Sequence, residues 1–249
     1  MKKVIIIIML FIGGITLSGC FDIDGIEPGP QLWYSFGSLY QSDTDLGYFF
    51  ILDSGDKLLP TNSLDINQFE DSSRIIVTYS IESYTETLNV KTFIGEIAVI
   101  EGILTKDIIQ LTEEIEDSLG NDLVFLYENS IWLSERHLNV IFNYYGYNHL
   151  HYINLAKPIG EQTDDEGNQI LELRHNSNDD HKTYVYESVV SFSMDSLYKP
   201  GLDSINFVLQ AIDGDTINHE FFGTFHFTDE QKNMSRVITP KAEYHRLIE

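Results

Sequence analysis

Cysteine and positive charge are both scarce in this chain. Cys20 is the only cysteine, so the chain cannot form an internal disulfide of the kind that often staples exported domains. Lysine and arginine number 15 against 39 aspartates and glutamates, which gives a formal net charge of -24. Nucleic acids and anionic lipids are bound mainly by basic side chains that neutralise phosphates. The composition therefore argues against nucleic acid as a partner and leaves divalent cations, basic peptides and neutral sugars open.

Catalytic motifs are lacking as well. The sequence contains no glycine-rich phosphate loop and no nucleophile elbow around a serine. His219-Glu220 begins like a metalloprotease zinc helix, but the next histidine is His226, so the required spacing of four residues is missing. Carboxylates are abundant, yet sequence alone cannot identify a pair that flanks a glycosidic bond. We therefore expect a protein that is not an enzyme, and we predict no catalytic residue.

The chain has one long apolar run, at its beginning. Lys2 and Lys3 precede apolar residues 4–15, and small residues then lead to Cys20, which is the pattern of an export signal. A single membrane-spanning anchor is the alternative, but crossing a bilayer takes about 20 apolar residues. The run is shorter than that, and no cluster of positive charge follows it. Residues 1–19 are therefore predicted to be a signal peptide.

The end of this segment, Leu17-Ser18-Gly19-Cys20, matches the bacterial lipobox. This match predicts cleavage between Gly19 and Cys20 and acylation of Cys20, with palmitate among the attached chains. Two or three acyl chains supply the number of signals that stable membrane attachment needs. Residues 20–30 are acidic, contain glycine and proline, and show no apolar periodicity, so they are predicted to be a tether. The predicted location is the cell envelope, at the outer membrane, with the periplasmic or surface face left open.

Short runs of aromatic and β-branched residues, separated by turn residues, make up residues 31–105. About five strands in this length are typical of an OB-type barrel. Aromatic side chains on such a barrel can stack nucleic-acid bases, but the excess of acidic residues here argues against that use. We expect the aromatic side chains to form the barrel core and rim instead: Trp33, Tyr34, Phe36, Tyr48, Phe49 and Phe50.

The pattern changes twice more along the chain. Residues 106–121 are rich in acidic residues and are predicted to be a linker, partly helical because Ile108, Leu111 and Ile115 share one helical face. Residues 122–249 contain seven or eight longer strands, the number expected for a β-sandwich. Residues 213–215 are predicted to form a hairpin turn. The predicted fold class is all-β, with an N-terminal five-stranded OB-type barrel followed by a C-terminal antiparallel β-sandwich.

Several short motifs follow the lipobox in a fixed order. They are residues 104–106, 120–122, 132–133, 138–140, 151–155 and 171–176. These motifs resemble those of the NigD-like lipoproteins, and the resemblance covers nearly the whole chain after Cys20. It implies an OB domain followed by a β-sandwich, which agrees with the division given by strand spacing. It also implies a role in immunity to a bacteriocin, and it brings no catalytic residues.

Two groups of residues are candidate metal ligands. His149 and His151 alternate on a predicted strand, so both imidazoles would project from one face. Asp179, Asp180 and His181 lie in a predicted loop whose oxygen atoms could hold Ca²⁺. The alternative for both groups is an ordinary solvated surface. We therefore expect no cofactor, with Ca²⁺ kept as an open alternative.

Three aromatic residues are candidates for ligand contact. Tyr145 and Tyr147 end one predicted strand, and Trp132 lies in another, where core packing is the alternative. Together with the anchor and the absence of catalytic motifs, they favour a membrane-anchored binding module with a peptide or protein partner. The alternatives are a carbohydrate-binding or carbohydrate-processing lipoprotein and a Ca²⁺-stabilised structural module. The sequence makes no prediction of oligomeric state.

Overall fold

A computed structural model of the chain describes residues 30–42, 46–127, 129–134, 136–197, 203–213 and 217–227, with the backbone alone at 212–213 and 217–219. The predicted signal peptide and the tether up to residue 29 lie outside the described residues. The described residues from Gln31 onward belong to one compact unit. Their regular secondary structure is almost entirely strands, which confirms the all-β class.

The N-terminal domain is a seven-stranded sheet with the order β5-β6-β3-β2-β1-β4-β7. Alternate residues of β2 are buried, and Tyr48 and Phe50 are in the core, as expected. Trp33 and Tyr34 are instead 46% and 47% exposed, at the start of β1. The strands are β1 (Leu32–Gln41), β2 (Tyr48–Leu52), β3 (Lys57–Pro60), β4 (Arg74–Ser80), β5 (Ser83–Thr87), β6 (Val90–Gly95) and β7 (Ile97–Gly102).

The seven strands correspond to the five expected because one long hairpin is bent in the middle. β4 and β5 are separated by two residues, and β6 and β7 by Glu96 alone. Backbone hydrogen bonds from Ser80 to Glu96 and from Glu82 to Ile94 continue the ladder across the bend. At Gly95 a Cβ atom would lie 1.8 Å from the carbonyl oxygen of Ser80, so only glycine fits there. The order contains no direct pairing of β5 with β7, so the sheet is not a closed ring of hydrogen bonds.

The C-terminal domain is a sandwich of a four-stranded sheet, β10-β11-β14-β8, and a five-stranded sheet, β16-β15-β13-β12-β9. Inward-facing side chains of both sheets form one apolar core, which includes Leu138, Val140, Leu155 and Leu171. The elements are β8 (Leu104–Asp107), β9 (Ile109–Gln110), α1 (Glu116–Leu119), β10 (Ile131–Ser134), β11 (His137–Gly146), β12 (Tyr152–Lys157), β13 (Gln169–Asn176), β14 (Tyr184–Ser193), β15 (Ser204–Asp213) and β16 (Ile217–His226).

Part of the predicted linker belongs to the sandwich. β8 pairs in parallel with β14, and β9 pairs in parallel with β12. β8 and β9 are short and lie at the edges of their sheets. Their sequences therefore show no clear alternation of apolar and polar residues. The one helical turn in this segment, α1, begins after Ile108, Leu111 and Ile115, on which the helix was predicted, and Ile108 and Leu111 flank β9 instead. β15 and β16 pair as an antiparallel hairpin, while residues 214–216 of their connection lie outside the described residues.

The two domains meet at a buried ion pair. The guanidinium of Arg74, the first residue of β4, bonds Asp53 through Nη1 and Oδ1 at 2.7 Å and through Nη2 and Oδ2 at 2.8 Å. Asp53 lies just after β2 and also accepts a 2.7 Å hydrogen bond from the indole Nε1 of Trp132 in β10. The Trp132 ring packs against Phe36, with centroids 4.8 Å apart. One carboxylate is therefore bonded to both domains.

Arg74 also bonds the sandwich directly. Its Nη2 donates to Asn139 Oδ1 in β11 at 2.9 Å, and its Nε donates to Ser191 Oγ in β14 at 3.4 Å. Asn139 and Ser191 are paired across the two strands, and Ser191 Oγ donates to Asn139 Oδ1 at 2.6 Å. A buried charge is costly unless it is paired and hydrogen-bonded. This network meets that requirement only when the domains are in contact.

We expect Asp53→Asn to destabilise the protein by about 3–5 kcal/mol, because it leaves the Arg74 charge buried without a counter-charge. The matched control is Arg136→Gln, which removes an ion pair to Asp195 whose side chains are 72% and 49% exposed. Exposed pairs contribute about 0–1 kcal/mol. Urea unfolding of the two variants measures the difference, and equal losses of stability would contradict this account of the junction.

His137, the first residue of β11, lies close to the same junction. Burial, and after it the positive charges of Arg74 and Arg136, lower its pKa from 6.5 to about 4, against an opposing effect of Asp53. Its Nδ1 atom is buried and makes no hydrogen bond among the described residues. Folded His137 therefore stays neutral in a pH range where the unfolded chain would bind a proton.

This difference predicts that the protein loses stability as the pH is lowered from about 6.5 to about 4. Below that range the stability should level off. Each pKa unit corresponds to about 1.4 kcal/mol, so the difference between 6.5 and about 4 assigns roughly 3.5 kcal/mol of the loss to His137. His137→Gln should remove that part of the pH dependence in urea unfolding. His181→Gln, at an exposed position, serves as the control. The same slope in His137→Gln and in the unchanged chain would show that His137 is not the titrating group.

Candidate functional site

A cluster of tyrosines occupies one end of the sandwich. The last residues of β11 pair with the first residues of β14, which places Tyr144 opposite Tyr186 and Gly146 opposite Tyr184. The rings of Tyr144 and Tyr186 stack with centroids 5.7 Å apart, and those of Tyr147 and Tyr184 stack at 6.1 Å. Tyr144 packs on the apolar core. Tyr147, Tyr184 and Tyr186 are 50%, 56% and 40% exposed, and we call these three residues the tyrosine cluster.

A chain of polar side chains lies beside this cluster. The ring of Tyr144 packs on His151, which precedes β12, with centroids 4.6 Å apart. His151 Nε2 lies 3.2 Å from Asp180 Oδ2, and His151 Nδ1 lies 2.9 Å from Nε2 of His175 in β13. The exposed fractions of the His151 and Asp180 side chains are 7% and 1%. The strands of both sheets thus converge on three buried titratable groups.

The carboxylate of Asp180 fixes the direction of one of these hydrogen bonds. When ionised it only accepts, so His151 donates to it from Nε2. Burial first, and then the adjacent His151, lower the pKa of His175 below 6.5, so this ring is neutral near neutral pH. Its remaining nitrogen, Nδ1, lies beside the backbone of Asp122 and Leu123 but makes no hydrogen bond of acceptable geometry.

Asp180 holds two loops together. Its carboxylate accepts hydrogen bonds from the backbone N–H groups of Tyr147, Asn148 and His181. Burial raises the pKa of Asp180, but hydrogen bonds from backbone N–H groups and from His151 outweigh it, so the pKa lies below its ordinary 3.8. The carboxylate therefore stays ionised at neutral pH and positions the backbone that carries Tyr147.

A second carboxylate supports the same loop from the other side. Asp122 Oδ2 accepts hydrogen bonds from both the backbone N–H and the hydroxyl of Ser177, each at 2.7 Å. Burial raises the pKa of Asp122, but these two bonds and the nearby His175 and Lys182 lower it below 3.8. The loop after β13 is thus bonded both to the segment that contains Asp122 and to the loop between β11 and β12.

The candidate metal ligands are brought together only in part. His149 Nδ1 lies 2.8 Å from the carbonyl oxygen of Asn178, while His151 and Asp180 bond each other. Asp179 and His181 are exposed. Across the described ranges, no group of three or more histidine, cysteine, aspartate or glutamate side chains could hold a metal ion. The Ca²⁺ site stays a prediction that this geometry does not favour.

The candidate aromatic residues are separated as well. Trp132 is 3% exposed and lies at the domain junction, so its indole is not on the surface. Tyr145 is 39% exposed and points to the opposite face of its sheet, where it packs on Phe125 at 5.3 Å. Tyr147 is in the tyrosine cluster. Tyr184 and Tyr186 were not predicted, although their alternation at the start of a predicted strand is a signal for a shared face.

Two sequence profiles match the chain over the domains just described. The NigD-like N-terminal OB domain matches residues 36–92, and the NigD-like C-terminal beta sandwich domain matches residues 107–222. The chain belongs to the NigD-like family. This membership confirms the resemblance and the order of domains expected from the sequence. No curated protein is detectably similar to this NigD-like chain.

Several solved structures share the NigD-like fold. One from Parabacteroides distasonis, provisionally described as a toxin-related protein, is 23% identical, covers 81% of this chain and 96% of its own, and has a TM-score of 0.65. A NigD-like immunity protein from Bacteroides caccae is 18% identical, with coverages of 78% and 93% and a TM-score of 0.51. A protein from Bacteroides fragilis, provisionally described as a lipoprotein, is 13% identical, with coverages of 80% and 99% and a TM-score of 0.56.

None of the helices in the described part of this NigD-like chain is long and apolar enough to cross a membrane.

We expect Asp180→Asn to loosen the loop that carries Tyr147, because an amide offers one acceptor oxygen where the carboxylate offers two. Hydrogen exchange of the Tyr147 and Asn148 amides should become faster, while core amides of β11 remain protected. Asp179→Asn is the control, since Asp179 is exposed and its left-handed backbone, φ 55, suits asparagine. Unchanged exchange in Asp180→Asn would show that the carboxylate does not hold the loop.

Proposed function

We propose that this NigD-like protein is an envelope lipoprotein, anchored through acylated Cys20, that binds a protein or peptide partner and catalyses no reaction. The observation that carries the proposal is the exposure of Tyr147, Tyr184 and Tyr186 together at one end of the sandwich. Tyrosines are enriched in protein interfaces because each offers a large, rigid ring with a polar tip. Exposed aromatic clusters on soluble domains commonly mark interaction surfaces.

The polar groups next to the cluster support binding rather than catalysis. The rings of His151 and His175 bond each other, and Asp180 is held by backbone N–H groups. These contacts give the three groups a positioning role, because they fix the loop on which Tyr147 lies. A rigid platform lowers the ordering cost of binding. An immunity-like role, in which the partner is a toxin captured near the membrane, is the specific form suggested by the family.

The first test is capture from native envelopes by the full-length chain. We expect a specific protein to be retained by the unchanged chain and lost with the double variant Tyr147→Ala and Tyr184→Ala, because the two most exposed of the three rings are removed. Tyr84→Ala is the matched control, since Tyr84 is 59% exposed but lies in β5 of the other domain. Capture that is equal in the double variant and the unchanged chain would contradict a binding role for the cluster.

The same preparation tests the anchor and the alternative ligand. Cys20→Ser should move the chain from the membrane fraction to the soluble fraction, whereas an unchanged distribution would contradict acylation at Cys20.

Stacked rings also suit sugars, so retention on a polysaccharide array without protein capture would favour a carbohydrate-binding lipoprotein instead. For the immunity-like role, deletion of the gene should increase sensitivity to a toxin, and unchanged sensitivity would argue against that role.

A further inference from the structure

Acidic side chains lie at the same end of the sandwich as the tyrosine cluster. Hydrogen bonds from Asn176 Nδ2 to the carbonyl of Ser118 and from Ser177 to Asp122 place α1 and the segment after it at this end of the sandwich. Lys182 is the one lysine or arginine among the described residues of α1, of the segment that follows α1 and of the segment that follows β13. The acidic side chains of α1 and of the segments that follow α1 and β13 that are not buried are Glu116, Asp117, Asp122 and Asp179, which we call the acidic border, whereas the Asp180 carboxylate is buried.

The exposed tyrosine faces themselves favour cations. A positive charge over an aromatic ring is attracted by the electron density of the ring face. The chain already shows this contact elsewhere: the Lys57 ammonium lies 3.9 Å from the Phe49 ring centre, and the Lys91 ammonium lies 5.8 Å from that of Tyr84. Among the described residues, no cation is placed in this way over a ring of the tyrosine cluster. Its rings are therefore open to a cation from a partner.

The charge of the whole molecule acts in the same direction. With a formal net charge of -24, the protein attracts cationic partners and repels acidic ones at distances up to about the Debye length of the solution. Arginine suits such a surface best, because its planar guanidinium stacks on aromatic rings and bonds carboxylates at the same time. The ring faces, the acidic border and the net charge thus select one kind of partner segment.

We infer that the tyrosine cluster binds a cationic segment of the partner protein, with arginine or lysine side chains over the rings and next to the acidic border. This inference rests on the proposed binding function and specifies the chemistry of the partner.

The test uses short synthetic peptides and the full-length chain in a neutral detergent. One peptide alternates arginine with alanine, a second replaces each arginine by the uncharged isostere citrulline, and a third replaces it by glutamate. Fluorescence anisotropy measures the Kd of each peptide at low and high salt. We expect the arginine peptide to bind at least roughly tenfold more tightly than the other two, and salt to weaken its binding.

Variants connect the binding to the rings. The double variant Tyr147→Ala and Tyr184→Ala should weaken the arginine peptide by roughly tenfold, because two ring faces are lost. The double variant Tyr147→Phe and Tyr184→Phe should retain most of the binding, since it keeps both faces and guards against a loss of folding. Tyr84→Ala, in the other domain, should bind normally.

Three results with the peptides would overturn the inference. They are equal binding of the arginine and citrulline peptides, binding of the arginine peptide that is unchanged in the Tyr147→Ala and Tyr184→Ala double variant, and no binding of the arginine peptide. A neutral oligosaccharide that binds at the same rings in place of the arginine peptide would also overturn it. Failure of the proposed function would be seen in a different experiment. In that case, envelope proteins would be captured equally by the unchanged chain and by the chain without the two rings. A partner captured through the rings while the arginine peptide fails would leave binding in place and refute only the cationic chemistry.

Discussion

Arg74 and Asp53 place a positive and a negative charge inside the contact between the two domains, where the Arg74 side chain is 0% exposed. Neither charge is stable there alone, and apart from a bond between Arg74 and Ser38 the remaining hydrogen bonds of the pair are made with Trp132, Asn139 and Ser191 of the sandwich. Separation of the domains would leave the network incomplete. The two domains therefore hold one relative arrangement, in which the outer face of the sheet with β11 and β14 is covered near Asn139.

The other end of that sheet is organised in the opposite way. There the same two strands end in tyrosines that remain exposed, while the buried polar groups, His151, His175 and Asp180, tie the loops together. Covering one end of the sheet leaves the uncovered end available for a partner. Because Asp180 is bonded to the backbone at Tyr147, the exposed rings stand on a rigid support. Rigidity at this end favours a binding surface over a mobile loop.

Local patterns allowed much of the fold to be predicted. Alternating apolar residues and turn residues located most strands, because side-chain direction in a strand depends only on neighbouring residues. The assignment of 106–121 as a linker did not include the short edge strands β8 and β9, whose partners are distant in sequence. Trp33 and Tyr34 were expected in the core or rim, and only their position at the start of β1 shows that they are exposed. At the candidate site, Tyr147 was predicted as a ligand contact and His151 and Asp180 as metal ligands, whereas Tyr184, Tyr186 and the pairing of His151 with His175 were not predicted.

The sequence by itself determined the all-β class, the order of the domains, the predicted acylation of Cys20 and the acidic charge, because each depends on composition or on residues close together in the chain. The tertiary structure alone decided which polar residues are partners and which aromatic residues remain exposed. Trp132 became part of the domain junction because Asp53, far away in sequence, lies opposite it. Tyr147, Tyr184 and Tyr186 became one surface because β11 and β14 pair in a particular register. Such contacts depend on which strands meet, and neighbouring residues do not specify that.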